Sequence, residues 1–258
     1  MRIGANCDLC DIPLLASEKI DFIEAKFTSL AAMSPEEVRA AVSVCEKYGV
    51  AAEAANNFFP PTVDFYGENA DTDALCDLVR RGMKNASALG CKIAVVGSGA
   101  ARRVPDFLTK EQAEEKFARV MQLCAGIGRE YGVTLAVEPL NFKETNLINT
   151  VSEGARFCCN ANASGIFCIA DFFHMFMNGE SADSLDEAKE YLIHAHIARP
   201  SPDRFAPRDE DIPACTEWAE KLRAIGYTGR LTLECRREKD LAGELEASRR
   251  AMDIFRAV

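Results

Sequence analysis

A single-domain (β/α)8 barrel spanning residues 1–258 is the fold class this sequence predicts, and three observations carry the prediction. Short β-branched or apolar runs alternate with longer amphipathic stretches eight times along the chain. No Gly/Ser/Pro-rich linker interrupts the 258 residues, and barrels of this kind run to about 250 residues without dividing. Carboxylates and histidines recur at the ends of the later runs, where a barrel keeps its chemistry.

The eight strands are placed, in order, at RIGAN (2–6), FIEAKF (22–27), AAEAAN (51–56), KIAVVG (92–97), TLAVEP (134–139), IFCIAD (166–171), IHAHIA (193–198) and RLTLEC (230–235). The first unit is the weakest, because only residues 7–21 separate the first two strands. A helix over 34–48 opens with Ser34-Pro35-Glu36-Glu37, a cap, a proline and an acidic first turn. A second, over 109–131, opens on Thr109, and a third fills 242–257. Gly49, Gly90, Gly132 and Gly226 fall where helices should stop and turn toward the next strand.

Composition excludes several classes. With 48% hydrophobic and 27% charged residues the chain can bury a sizeable core, so disorder is ruled out. A formal net charge of -10, with no Lys/Arg cluster beyond pairs such as Arg102-Arg103 and Arg236-Arg237, argues against nucleic acid as a partner. No leader pattern opens the chain and no apolar stretch reaches membrane-spanning length, so no membrane partner and a cytoplasmic location are expected. The 11 cysteines are an odd number scattered through apolar stretches, as small core residues in a reducing compartment would be. The one CxxC, Cys7 to Cys10, lacks a second pair at zinc-finger spacing and reads better as packing than as a redox or zinc motif.

The chemistry concentrates late in the chain. All 3 histidines, His174, His194 and His196, lie in the sixth and seventh units. His194 and His196 are two apart on a strand and share a face: if one is interior, both are. One ligand with a hydrogen-bonded neighbour, two ligands, and a structural pair all remain open. Glu138, Asp171 and Glu234 stand at the ends of apolar strands, where burying a carboxylate without a partner costs several kcal/mol. Each therefore needs a cation. The competing reading is a salt-bridge network with interior lysine, and it is weakened because none of these strand ends carries a Lys or Arg before the ligand, although Arg236 follows Glu234. Glu138, Asp171, His196 and Glu234 are each about one βα unit apart, so four consecutive strands would converge them on one mouth. Three carboxylates and one imidazole suit one divalent ion, Mn2+ first, with Mg2+ or Co2+ as alternatives.

EPLNFKE (138–144), ADFFHM (170–175), HAHIA (194–198) and LTLEC (231–235) resemble the strand-end motifs of the xylose isomerase-like sugar isomerase/epimerase barrels, above all the ketose 3-epimerases. VGSGAARRVPD (96–106) is similar to a fourth-strand loop in the same superfamily. The resemblance implies metal ligation by Glu138, Asp171, His196 and Glu234, with Glu138 and Glu234 also the catalytic acid/base pair acting through an enediolate. It implies substrate contacts for His174 and Glu144, a small carbohydrate substrate, free or phosphorylated, and association into a homo-oligomer.

One departure matters. The epimerases carry an Arg six residues after the ligand His, whereas position 202 here is proline and the nearest arginines are Arg199 and Arg204. The seventh loop is rebuilt. Arg204 reads either as the substrate-binding replacement for the missing guanidinium or as a solvated loop residue. The GSGAARR segment (97–103) reads either as turn geometry or as a cradle for a substrate's distal oxygens or phosphate, and it lacks the pattern of a nucleotide loop. Beside epimerisation or isomerisation stand a lyase or dehydratase on a keto-sugar using the same site, and a non-catalytic sugar-binding subunit. A three-zinc phosphodiesterase site would need more histidines than the chain has.

Overall fold

The computed structural model describes residues 1–67, 72–161 and 165–258. Eight parallel strands close into a barrel in sequence order: β1 (Arg2–Asn6), β2 (Phe22–Lys26), β3 (Ala51–Asn56), β4 (Ile93–Val96), β5 (Thr134–Val137), β6 (Ile166–Asp171), β7 (Leu192–Ile197) and β8 (Arg230–Leu233). β8 pairs with β1 from Arg2↔Arg230 to Ala5↔Leu233, which closes the ring. All eight strands stand where the sequence placed them. β5 and β8 end one residue before Glu138 and Glu234, yet the backbone stays anchored, because Glu138 N donates to Val96 O (3.1 Å) and Glu234 N to Ile197 O (3.0 Å).

The period of two divides each strand between two cores. One set of positions, including Ile3, Ile23, Ala55, Val96, Val137, Ala170, Ile197 and Leu233, packs outward against the helices. The alternate set points into the barrel, where Phe22, Ala54, Ile93, Val95, Ala136 and Ile169 form a small plug. Phe22 fits because β1 offers Gly4 opposite it: a Cβ there would lie 2.3 Å from the ring. One step nearer the C-terminal mouth the same inward rows carry Glu24, Asn56, Glu138, Asp171, His196 and Glu234. The alternation that fills the barrel therefore also aims the polar residues.

The helix Pro35–Tyr48 begins at a capping box in which Ser34 Oγ accepts from Glu37 N (3.3 Å) and Glu37 Oε2 from Ser34 N (2.8 Å). Thr109 and Gln112 do the same for the helix Lys110–Tyr131. Gly49, Gly90, Gly132 and Gly226 all adopt positive φ at the predicted stops. The expected helix over 242–257 is two, Leu241–Ala247 and Arg249–Arg256. The break is at Ser248, whose buried hydroxyl bonds back to Glu244 O (2.8 Å) and Leu245 O (3.3 Å) and competes with the helical ladder. Cys7 is buried and Cys10 exposed, both are free thiols, and burial pushes the Cys7 thiol up to about 12, which fits packing rather than redox work. Among the described residues no helix is long and apolar enough to cross a membrane.

Candidate metal centre and active site

Four strand ends bring Glu138, Asp171, His196 and Glu234 together, with one potential ligand atom from each lying within 4.8 Å of all the others. His196 Nδ1 is 3.2 Å from Glu138 Oε1, 3.1 Å from Glu234 Oε2 and 3.8 Å from Asp171 Oδ2. Each carboxylate is oriented by its second oxygen or its surroundings. Asp171 caps the helix Phe172–Asn178, its Oδ1 accepting from Phe173 N (2.8 Å) and His174 N (3.2 Å), so only Oδ2 faces the cluster. Glu234 Oε1 accepts from Asn56 Nδ2 at 2.6 Å, leaving Oε2 inward. Glu138 lies against Gly97, where an added Cβ would fall 2.2 Å from Oε2.

The last contact gives a direct prediction. In Gly97→Ala the flexible end of Glu138 would move aside, so thermal stability should change little while divalent-ion affinity drops. Calorimetric titration with Mn2+ beside a melting curve separates the two, and an affinity equal to wild type would show that the carboxylate is free to relocate.

Cations meet these carboxylates from loops, not strands. The Arg204 guanidinium, one nitrogen of which is 2.9 Å from Asp171 Oδ2, also bonds Glu234 Oε2 and lies over the Phe173 ring, 4.7 Å from its centroid. Arg102 is fully buried and donates to the backbone carbonyl of Glu138, with Nε and Nη1 lacking a hydrogen-bond partner among the described residues. The strand ends carry no Lys or Arg before the carboxylates, but the seventh loop brings Arg204 to them, and it meets part of the negative charge.

It is not all met. Glu24, in the middle of β2, is a fourth carboxylate with no exposed surface, and its oxygens lie 3.0 Å and 3.1 Å from His196 Nε2 and 2.9 Å from His194 Nε2. Four carboxylates face two guanidiniums, Arg204 at the cluster and Arg102 behind Glu138, an excess of negative charge that a divalent ion held there would offset. The donor chemistry, three carboxylate oxygens and an imidazole nitrogen, fits such an ion. The field shows in the ionisation of the residues. Burial works against charge on His196, but Glu24 and Glu234 still hold its pKa well above the usual histidine value. Burial likewise opposes ionisation of Asp171, yet His174, Arg204 and His196 hold it well below the carboxylate range. Burial raises Glu138, whereas Glu234, despite burial, is lowered by Arg204 and His196. The two glutamates thus sit in opposed electrostatic environments.

Glu138 and Glu234 of the cluster line a cavity of about 480 Å³ whose wall also includes Lys26, Asn57, Ser98, Glu144, His174 and Arg204. His174 is buried, and its Nδ1 accepts from Asn141 Nδ2 (2.8 Å) and Asn141 N (3.3 Å), which leaves the proton on Nε2, 3.6 Å from Asp171 Oδ2. Glu144 stands at the exposed rim, held by Asn141 Nδ2 at 3.0 Å. In the GSGAARR segment, Gly97 to Ala101 line the cavity, Arg102 turns inward and Arg103 bonds Lys143 O (3.0 Å). Neither arginine projects into the cavity. Glu24, Asn56 and Arg102 are the site residues that sequence reasoning missed.

Fold and site together define an α/β barrel with a buried carboxylate–imidazole cluster consistent with a divalent metal centre at its C-terminal mouth. The chain belongs to the xylose isomerase-like TIM barrel family, whose sequence model matches residues 12–258. It is 30% identical over 114 residues to the D-psicose 3-epimerase of Agrobacterium fabrum (strain C58), covering 43% of this chain and 37% of that protein. It is 29% identical over 106 residues to the 3-dehydro-D-guloside 4-epimerase of Escherichia coli (strain K12), covering 41% of this chain and 39% of that protein. These matches thus span well under half the length of either curated relative. A crystal structure of D-psicose 3-epimerase in the presence of D-fructose superposes with a TM-score of 0.84 at 20% identity, covering 100% of this chain and 99% of that one, a likeness of fold.

Proposed function

We propose that the chain is a divalent-metal-dependent epimerase or isomerase of a small sugar, with Glu138 and Glu234 exchanging protons at a carbon beside a carbonyl. The observation that carries this reading is the convergence of Glu138, Asp171, His196 and Glu234, with Glu138 and Glu234 lining one cavity. The chemistry a divalent ion, Mn2+ in this proposal, supplies when held by these four residues is Lewis acidity, which polarises a carbonyl and acidifies the adjacent C–H. Glu138 and Glu234 enter from strands three apart in the barrel and take and return the proton. His174 offers its Nε2–H to a substrate oxygen, Glu144 accepts from a hydroxyl at the rim, and Arg204 holds an oxygen beside Glu234. A cavity of about 480 Å³ suits a monosaccharide. The names of the relatives, epimerases acting on a ketose or on a keto-sugar derivative, support this substrate class.

Incubation with Mn2+ and a panel of ketoses and keto-sugars in D2O tests the proposal. Deuterium is expected at a carbon next to the carbonyl of at least one sugar. A protein that binds Mn2+ yet exchanges no C–H in any sugar would contradict it. An unsaturated product absorbing in the ultraviolet would redirect the reading to elimination.

A further inference from the structure

We propose that Glu24 is the positioning residue of the metal centre: it accepts the Nε2–H of His196 and so turns Nδ1, as the ligand atom, toward Glu138, Asp171 and Glu234. The inference rests on the metal reading above and adds to it the residue that selects which imidazole nitrogen binds.

Three observations carry it. His196 has its nitrogens divided between two sets of carboxylates: Nδ1 faces Glu138 and Glu234 at 3.2 and 3.1 Å, while Nε2 faces the two Glu24 oxygens at 3.0 and 3.1 Å. A ligand nitrogen must present a lone pair, so the ring's one proton belongs on the side away from the ligand set, where Glu24 accepts it. A proton on Nδ1 instead would point at the metal position. Next, Glu24 has no exposed surface, and its carboxylate's hydrogen-bond partners are the two imidazoles. A buried carboxylate so placed is held by what it orients.

The third observation is His194. Its Nε2 lies 2.9 Å from Glu24 Oε2 and 3.2 Å from Thr232 Oγ1, while its buried Nδ1 has no hydrogen-bond partner among the described residues. A protonated Nε2 and a bare Nδ1 fit that pattern, since an orphaned N–H is the costlier alternative. His194 therefore steadies the second oxygen of Glu24. The two rings stand at 86° with centroids 5.0 Å apart, so both Nε2–H groups reach one carboxylate. The backbone of Glu24 is fixed as well, its carbonyl accepting from Asn6 Nδ2 at 3.0 Å.

Ligand atoms of Glu24, His194 and His196 also lie close enough together to hold an ion of their own. A second ion there would require His196 to surrender both ring protons and bridge as an imidazolate. One ion with Glu24 as acceptor needs no such loss.

Titration of free Mn2+ by electron paramagnetic resonance tests this on wild type, Glu24→Gln and Glu24→Asp. Glu24→Gln should bind one Mn2+ per chain about 10–100-fold more weakly, with partial recovery in Glu24→Asp. Metal-free melting curves report folding separately. For a readout that needs no variant, long-range 1H–15N correlation spectra of the wild type with Mg2+ should show His196 protonated at Nε2. Protonation at Nδ1, two Mn2+ per chain, or wild-type affinity in Glu24→Gln would each overturn the inference while leaving the metal centre standing. A wild type that binds no divalent ion would overturn both.

Discussion

Glu138→Gln and Glu234→Gln should each lower the rate of sugar inversion by about 10²–10⁴-fold, the usual contribution of a positioned acid or base, when assayed at Mn2+ concentrations that saturate the variant. Glutamine keeps the shape and one neutral oxygen for the ion but cannot carry the proton. Because the two carboxylates reach the cavity from β5 and β8, inversion needs both, one to remove the proton and the other to deliver it. Exchange without inversion needs only one. Each variant should therefore still wash deuterium from D2O into one epimer while failing to make the other, and the two variants should favour opposite epimers. Mass spectrometry and NMR of the recovered sugar read both quantities. Loss of all exchange in both variants, with Mn2+ still bound, would argue that the glutamates only ligate.

Arg204→Ala should destabilise the metal-free protein and be rescued by metal. Its guanidinium meets Asp171 and Glu234 at the ligand set, and its place is built by the loop: φ is +56°, Arg204 N donates to Ser201 O (3.0 Å), and Arg236 N donates to Arg204 O (2.7 Å). A non-glycine residue holds a left-handed backbone only where its surroundings over-determine it. Loss of the charge-assisted bonds removes about 1.5–3 kcal/mol, roughly 3–12 °C in melting temperature for a chain of this size. Saturating Mn2+ should close most of that gap, because an ion supplies the missing positive charge to the same two carboxylates. Melting curves with and without Mn2+ measure it. An equal loss in both conditions would make Arg204 a loop strut unrelated to the ion.

The barrel was legible because each strand is a short apolar run bounded by turn signals, and the four candidate ligands because a carboxylate or imidazole ending such a run is anomalous. Glu24 was not legible for a physical reason. It sits inside FIEAK much as Glu53 sits inside AAEAA, yet Glu53 is salt-bridged to Arg2 and Arg230, the first residues of β1 and β8, and is partly exposed. Only the closure of the barrel brings Glu24 inward beneath His196. Strand parity could have raised it as a candidate, since Phe22, Glu24 and Lys26 share a face. Arg204 was named only as a loop candidate, and its ionic partners, like Arg102 altogether, escaped because loop paths are not written in periodicity. The charged GSGAARR segment reads as turn geometry or as an oxygen cradle, while the fold buries Arg102 beneath Glu138.

Crystals grown with Mn2+ and measured at the manganese absorption edge test the central claim most directly. The account predicts one anomalous peak per chain, bounded by Glu138, Asp171, His196 Nδ1 and Glu234, with Glu24 hydrogen-bonded to the far side of the imidazole. No peak at saturating Mn2+, or a peak only among Glu24, His194 and His196, would contradict it.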